Sequence, residues 1–139
     1  MGIYTIGKEQ KDEIRVMIVD VLKERQDIIF AYLYGSFLGS SFRDIDIAVY
    51  VEEIKRKRGI LGFELVLERE LEELISFPID VRILNYAPLS FKFKVIKEGI
   101  LLFSRDEEVR SDFECLTFVE HHDFLFHRET YRREALGII

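Results

Sequence analysis

The chain has 139 residues, 48% of them apolar and 33% charged, and a net charge of −6. That is enough for one compact domain with a single core and too little for a second catalytic domain; the acidic balance argues against a general nucleic-acid binder, whose footprint is a basic face. No apolar run approaches membrane-spanning length, the lone Cys115 has no internal disulfide partner, and without a charged-then-apolar leader the chain is expected in the cytoplasm.

Ile14, Met17, Ile18, Val21 and Leu22 recur at helical spacing and predict a first helix from about Lys8 to Arg25. Ile28 to Tyr34 is a short apolar run rich in β-branched and aromatic residues that stops at Gly35, as a buried strand does. The run Gly35-Ser36-Phe37-Leu38-Gly39-Ser40-Ser41-Phe42-Arg43-Asp44-Ile45-Asp46 then joins a glycine-serine turn to two acids. From Asp44 to Val51 the chain alternates, with Asp44, Asp46, Ala48 and Tyr50 on one face and Ile45, Ile47, Val49 and Val51 on the other. Lys55-Arg56-Lys57-Arg58 follows, readable as a solvated loop or as a phosphate or RNA contact.

A second helix is expected from about Gly62 to Ile75, with Phe63, Val66, Leu67, Leu71 and Leu74 inward and its glutamates in solvent. Pro78 to Leu84 reads as a strand that places Asp80, Arg82 and Leu84 on one face. Leu89 to Glu98 reads as a helix after Pro88, and Ile100 to Phe103 as a last strand after Gly99. Asp106 to about Leu136 predicts one long helix or two shorter ones, with Val109, Phe113, Leu116 and Val119 inward. Phe118, Phe124, Leu125, Phe126 and Tyr131 spread over other sides of it, as a broader core contact or as a surface for a partner or a second copy. His121, His122 and His127 lack the one-turn spacing that converges two rings on a metal. The order of elements predicts an α/β (α+β) fold, a mixed sheet covered mainly by helices. Residues 1–105 form its core, and 106–139 a helical extension of the same domain.

The chemistry concentrates on the acids. Two carboxylates roughly 6 to 7 Å apart along a strand repel by about 2 to 3 kcal/mol at an effective dielectric near 20, unless something positive sits between them. Oxygen-only ligands suit Mg²⁺ or Mn²⁺. The plain alternative has Asp44 capping a turn and Asp46 as a solvated strand residue. If the Pro78–Leu84 strand pairs beside Asp44–Val51, Asp80 completes a triad. Gly35 and Gly39 allow close backbone approach to phosphates, and Ser36 adds a hydroxyl.

On the Gly35-Ser36 pair, the Asp44-x-Asp46 pair and the strand acid Asp80, the chain resembles the DNA polymerase β-type nucleotidyltransferases over about residues 10 to 105. It resembles in particular their smallest members, the minimal nucleotidyltransferase (MNT) domains that serve as antitoxins to HEPN ribonucleases. Leu84-Asn85-Tyr86-Ala87-Pro88 and Lys97-Glu98-Gly99-Ile100-Leu101-Leu102-Phe103 are similar to the family's later stretches. The resemblance implies that Gly35 and Ser36 hold the triphosphate, that Asp44 and Asp46 bind two Mg²⁺ ions, and that Asp80 binds one of them and helps deprotonate the attacking hydroxyl. It implies a mainly antiparallel mixed sheet of the polymerase β-like type, ATP as substrate, and transfer of AMP to a hydroxyl, a tyrosine of the HEPN toxin. A homo-oligomer through the C-terminal helix is the other partner expected. A non-catalytic antitoxin and a small-molecule nucleotidyltransferase are the alternatives. Phe37, Leu38 and Arg43 depart from the family, which often has a small residue and an arginine after the serine and a serine before the first aspartate.

Overall fold

The computed structural model describes residues 2–52 and 59–136; Lys55 to Arg58 lie outside them. The elements in chain order are α1 (Lys8–Lys23), β1 (Ile28–Tyr34), a 3₁₀ turn (Gly35–Leu38), β2 (Ile45–Val51), α2 (Ile60–Ile75), β3 (Ile79–Ile83), α3 (Leu89–Glu98), β4 (Ile100–Ser104) and α4 (Glu107–Leu136). Among the described residues the strands form one sheet in the order β3-β2-β1-β4. β1 runs antiparallel to β2 and β4, while β2 and β3 are parallel. A parallel pair needs a crossover, and α2 supplies it. β1 lies between two strands and is buried on both faces along nearly its whole length, which is why it reads as an uninterrupted apolar run.

Each face of the sheet has its own core. On one, Ile14, Ile18 and Leu22 of α1 and Leu67, Leu71 and Ile75 of α2 pack on Ala31, Leu33, Ile47, Val49 and Val81. On the other, α3 and the start of α4 cover Phe30, Tyr32, Tyr34 and Ala48 through Phe91, Val95, Val109 and Phe113. Phe30 stacks on Tyr50 with ring centroids 4.7 Å apart and meets Phe113 at 5.5 Å. Gly99 turns the chain from α3 into β4 where a Cβ would stand 2.5 Å from the Val95 carbonyl oxygen and 2.9 Å from that of Leu33. Only glycine fits such an approach.

Two predicted helix faces are corrected. On α2, Val66 and Leu74 are exposed, because the inward row steps by four through Leu67, Leu71 and Ile75. The glutamates beside that row are not merely solvated. Glu72, Glu68 and Glu64 accept the backbone N–H groups of Ile79, Val81 and Ile83 at 2.9, 2.8 and 2.9 Å. β3 is an edge strand with alternate N–H groups pointing away from β2, and a glutamate every four residues satisfies them in turn. Partial burial raises the Glu68 carboxyl above its usual range. On α4, Leu116 and Val119 are exposed while Thr117 is buried. Its hydroxyl donates to the Phe113 carbonyl at 2.8 Å, so a polar residue sits in the core with its hydrogen bond made. The strand expected from Asp44 begins one residue later, at Ile45.

The start of α4 is fastened to the sheet by polar contacts. Tyr32 donates its hydroxyl proton to Glu114, which also accepts from Arg110 at 2.9 Å, and Arg110 pairs with Glu107. From His122 to Ala135 every residue is exposed. At 1.5 Å per residue that half of the helix extends about 20 Å past its support. Phe124, Phe126 and Tyr131 are exposed there, so the core-contact reading of these aromatics is not met.

Glu68→Ala removes one rung of the glutamate ladder and is expected to lower stability by about 1 to 2 kcal/mol, against less than about 0.5 for the exposed control Glu73→Ala. Urea denaturation of the two variants checks it, and equal midpoints would show that the ladder contributes nothing.

Candidate active site

The register of three strands sets the site. Tyr34 at the end of β1 is the pairing partner of Asp46 on β2, and Asp46 is the partner of Asp80 on β3. The three lie in a row on the face that carries Tyr32 and Ala48 in its core. Asp44 stands just before β2 and is hydrogen-bonded to Asp46. Partial burial, then the charges of Asp44 and Asp80, then that hydrogen bond push the Asp46 carboxyl up to about 7, with Arg82 opposing. Burial and the same acids also push the Tyr34 phenol upward, so it stays neutral.

Gly35 follows Tyr34 with φ at +84°, and a Cβ there would fall 2.2 Å from Asp46 Oδ2. Both facts demand glycine, since the turn passes directly over the carboxylate. The 3₁₀ turn it opens is closed by the Gly39 N–H on the Ser36 carbonyl at 2.9 Å. Ser36 is exposed and its Oγ accepts the Arg43 N–H at 3.4 Å. Gly39 has an ordinary φ of −95°, a conformation open to any residue. Phe37, a departure from the family pattern, is the buried plug of this turn and meets Phe42 at 4.8 Å. Lys11 of α1 donates to the carbonyls of Phe37, at 2.7 Å, and of Gly39. Sequence reasoning missed Lys11 and Tyr34, because one reaches the turn from 26 residues away and the other gains its neighbours only through strand register.

Among the described residues no three His, Cys, Asp or Glu side chains stand gathered as a ready metal cage. Asp80 Oδ2 lies 3.6 Å from Arg82 Nε, and Asp46 is turned to Asp44. The donor set still fits a hard divalent cation: every ligand atom is a carboxylate oxygen, and burial together with the like charges of Asp44 and Asp80 raises the Asp46 carboxyl well above its ordinary range. The histidines take no part, and His121 stacks on Phe93 with centroids 3.6 Å apart.

Residues 17–108 match the family model described as polymerase beta, nucleotidyltransferase. The chain belongs to the polymerase beta nucleotidyltransferase family. Its fold is similar to that of a chain in the complex of a tri-AMPylated Shewanella oneidensis HEPN toxin with MNT antitoxin, with a TM-score of 0.66 and 18% identity over 91% of this chain and 98% of that one. It is also similar to the toxin-antitoxin MntA-HepT, with a TM-score of 0.65 and 18% identity over 90% of this chain and 98% of that one. A toxin-antitoxin structure with AMP-PNP gives a TM-score of 0.66 and 20% identity over 88% and 98%. These likenesses establish the nucleotidyltransferase fold of the chain. The search of curated proteins finds no match. Among the described residues no helix is long and apolar enough to cross a membrane.

Because the Asp46 carboxyl is raised to about 7, a proton occupies the site below that pH, and a cation has to displace it. Mg²⁺ affinity is expected to rise as pH increases from about 6 to about 8, with proton release greatest at the acid end. Without metal the sign for stability is also set. The folded chain holds this proton more tightly than the unfolded one, so the group's stabilising contribution is present at low pH and lost as pH rises from about 4 to about 7. Calorimetry in buffers of different ionisation heat measures the release, and an affinity that does not change with pH counts against the assignment.

Proposed function

We propose that this chain is a metal-dependent nucleotidyltransferase antitoxin that transfers AMP from ATP to a tyrosine hydroxyl of a HEPN ribonuclease partner. The observation that carries the reading is the row of acids: Asp80 directly opposite Asp46, with Asp44 alongside, under a turn that only Gly35 can make. Family membership supports nucleotidyl transfer. The similar fold of an MNT antitoxin complex in which the toxin is tri-AMPylated supports the acceptor.

In this reading Asp44, Asp46 and Asp80 hold two Mg²⁺ ions, or Mn²⁺, and the Gly35, Ser36 and Gly39 turn carries the triphosphate. Ions held there would supply neutralisation of the charge on the attacking and leaving oxygens. The acceptor oxygen bonds to the α-phosphorus, the bond to pyrophosphate breaks, and the hydroxyl proton passes to a carboxylate oxygen of Asp80. Residues 1–105 carry the transfer site and 106–139 the contact with the partner, through the overhanging half of α4 and its exposed Phe124 and Phe126. A second reading, an antitoxin that acts by covering its toxin alone, is favoured by the Asp80–Arg82 pair, which leaves the acids ungathered.

The two readings separate on the acids. Asp80→Asn is expected to keep ATP binding within about tenfold and lose transfer, whereas Asp46→Asn loses both; each change removes a charge from a repelling cluster, so folding stability holds or rises. Intact-mass spectrometry of the HEPN partner after incubation with ATP and Mg²⁺ reads the added AMP. A wild-type chain that adds no mass yet neutralises the partner, with both variants equally effective, acts by covering.

Changing Phe124 and Phe126 to serine is expected to weaken association with the partner by about tenfold or more while nucleotide affinity and thermal stability stay as they were. Light scattering and nucleotide titration give the two readouts. Loss of folding would place both rings in a core instead.

A further inference from the structure

Gly35, Ser36 and Gly39 belong to the loop that joins β1 to β2, and the chain that precedes the sheet grips this loop at two points. Near its end Tyr4 and Phe42 exchange backbone hydrogen bonds of 2.7 and 3.0 Å, and their rings meet at 5.6 Å. At the 3₁₀ turn Lys11, in the first turn of α1, donates from Nζ to the Phe37 carbonyl at 2.7 Å and to the Gly39 carbonyl. The same ammonium stands 5.0 Å from the Phe37 ring centroid and 5.7 Å from that of Phe42. Leu38, Gly39, Ser40 and Ser41, around and between these supports, are exposed.

A turn this short leaves its last carbonyls without partners inside it, and a lysine ammonium satisfies them with charge-assisted hydrogen bonds. Two such bonds and two ring faces occupy most of what an ammonium offers. α1 does not need Lys11 in order to dock, because Ile14, Ile18 and Leu22 already fasten the helix to the sheet. What Lys11 fixes is the turn. Gly35 at its start passes over the Asp46 carboxylate, and the Gly39 N–H closes it on the Ser36 carbonyl at 2.9 Å. The turn is therefore set against the acids at one end and against Lys11 at the other, and any rotation of it would carry Ser36 away from its place above the acids.

We propose that Lys11 is a positioning residue for the triphosphate, acting through the Gly35–Leu38 turn that it holds in a phosphate-receiving arrangement rather than by touching phosphate itself. The inference rests on the nucleotidyltransferase reading above. A ligand whose binding segment is in its competent arrangement only part of the time loses affinity in proportion. Loss of the Lys11 ammonium therefore acts on phosphate binding, while the apolar contacts of α1 keep the fold.

Three variants separate positioning from bulk charge and from direct contact. Lys11→Met keeps an unbranched stem against Phe37 and Phe42 and removes the donor, and Lys11→Arg keeps a cation able to donate to two carbonyls. Lys8→Met removes the same charge from an exposed position of the same helix. Calorimetry with ATP and with inorganic tripolyphosphate, both with Mg²⁺, is paired with amide exchange at Gly39 in the ligand-free chain. Lys11→Met is expected to weaken both ligands by the same factor, about five- to thirtyfold, and to speed Gly39 exchange in a chain that stays folded. Lys11→Arg and Lys8→Met are expected to bind within about threefold of wild type. Unchanged affinity in Lys11→Met, no recovery in Lys11→Arg, or an equal loss in Lys8→Met overturns the positioning role and leaves the transfer site as proposed. Weaker binding without faster Gly39 exchange makes Lys11 a direct phosphate contact and overturns it too, as does a Lys11→Met chain that no longer folds. A wild-type chain that binds neither ligand overturns the nucleotidyltransferase reading and the role of Lys11 with it.

Discussion

Asp46 faces Asp80 across a parallel strand pair, with Asp44 two residues before it in the chain adding its charge, and the surrounding structure is arranged around that concentration of negative charge. Each close pair of charges costs on the order of 2 to 3 kcal/mol at an effective dielectric near 20. Three local features absorb the cost in the free chain. Asp46 has its carboxyl raised to about 7, Arg82 leans toward Asp80, and Tyr34 stays neutral beside them. A fold that needed only stability gains nothing from such an arrangement, and local rules are broken in this way at functional sites. Gly35 belongs to the same constraint, since its missing Cβ is the space in which the Asp46 carboxylate sits.

What keeps the acids opposite one another is the placement of β3. A strand at the edge of a sheet holds its register only if both of its sides are occupied, and here each side has a distinct partner. β2 takes one set of backbone groups from Ile45 to Val49, and the Glu64, Glu68 and Glu72 row of α2 takes the outward N–H groups. Side chains have a period of two along a strand, so a slip by one residue would carry Asp80 to the opposite face and Val81 out of the core. Asn85 holds the same strand pair from its far end. The crossover helix thus positions the site as well as connecting the strands.

α4 divides into two parts with different physics. Its first half is bound by the Tyr32–Glu114–Arg110 network and by Phe113 against Phe30 and Tyr50. Its second half makes no core and carries exposed aromatic rings. A helix of weak amphipathic pattern is stable alone only when long and well paired, and the anchored half supplies the nucleus from which the free half continues. The overhang is the surface assigned to a partner in the proposed function.

The sequence by itself determined the element order and the chemistry of the acids. Apolar periodicity depends only on local geometry, and it located each helix and strand to within about two residues. The glycine-serine turn followed by Asp-x-Asp carried the family resemblance that the match over residues 17–108 then established. Tertiary structure decided what lies across from what. The pairing of Asp80 with Asp46, Lys11 on the glycine turn and the glutamate ladder on β3 join residues that are apart in the chain. The errors have the same origin. Val66, Leu74, Leu116 and Val119 are as apolar as core residues but lie on helix sides that no other element reaches, while Thr117 is buried because its hydroxyl bonds within its own helix. Composition states what a side chain prefers; which preference is met depends on the packing of elements, and that is set by the whole chain at once.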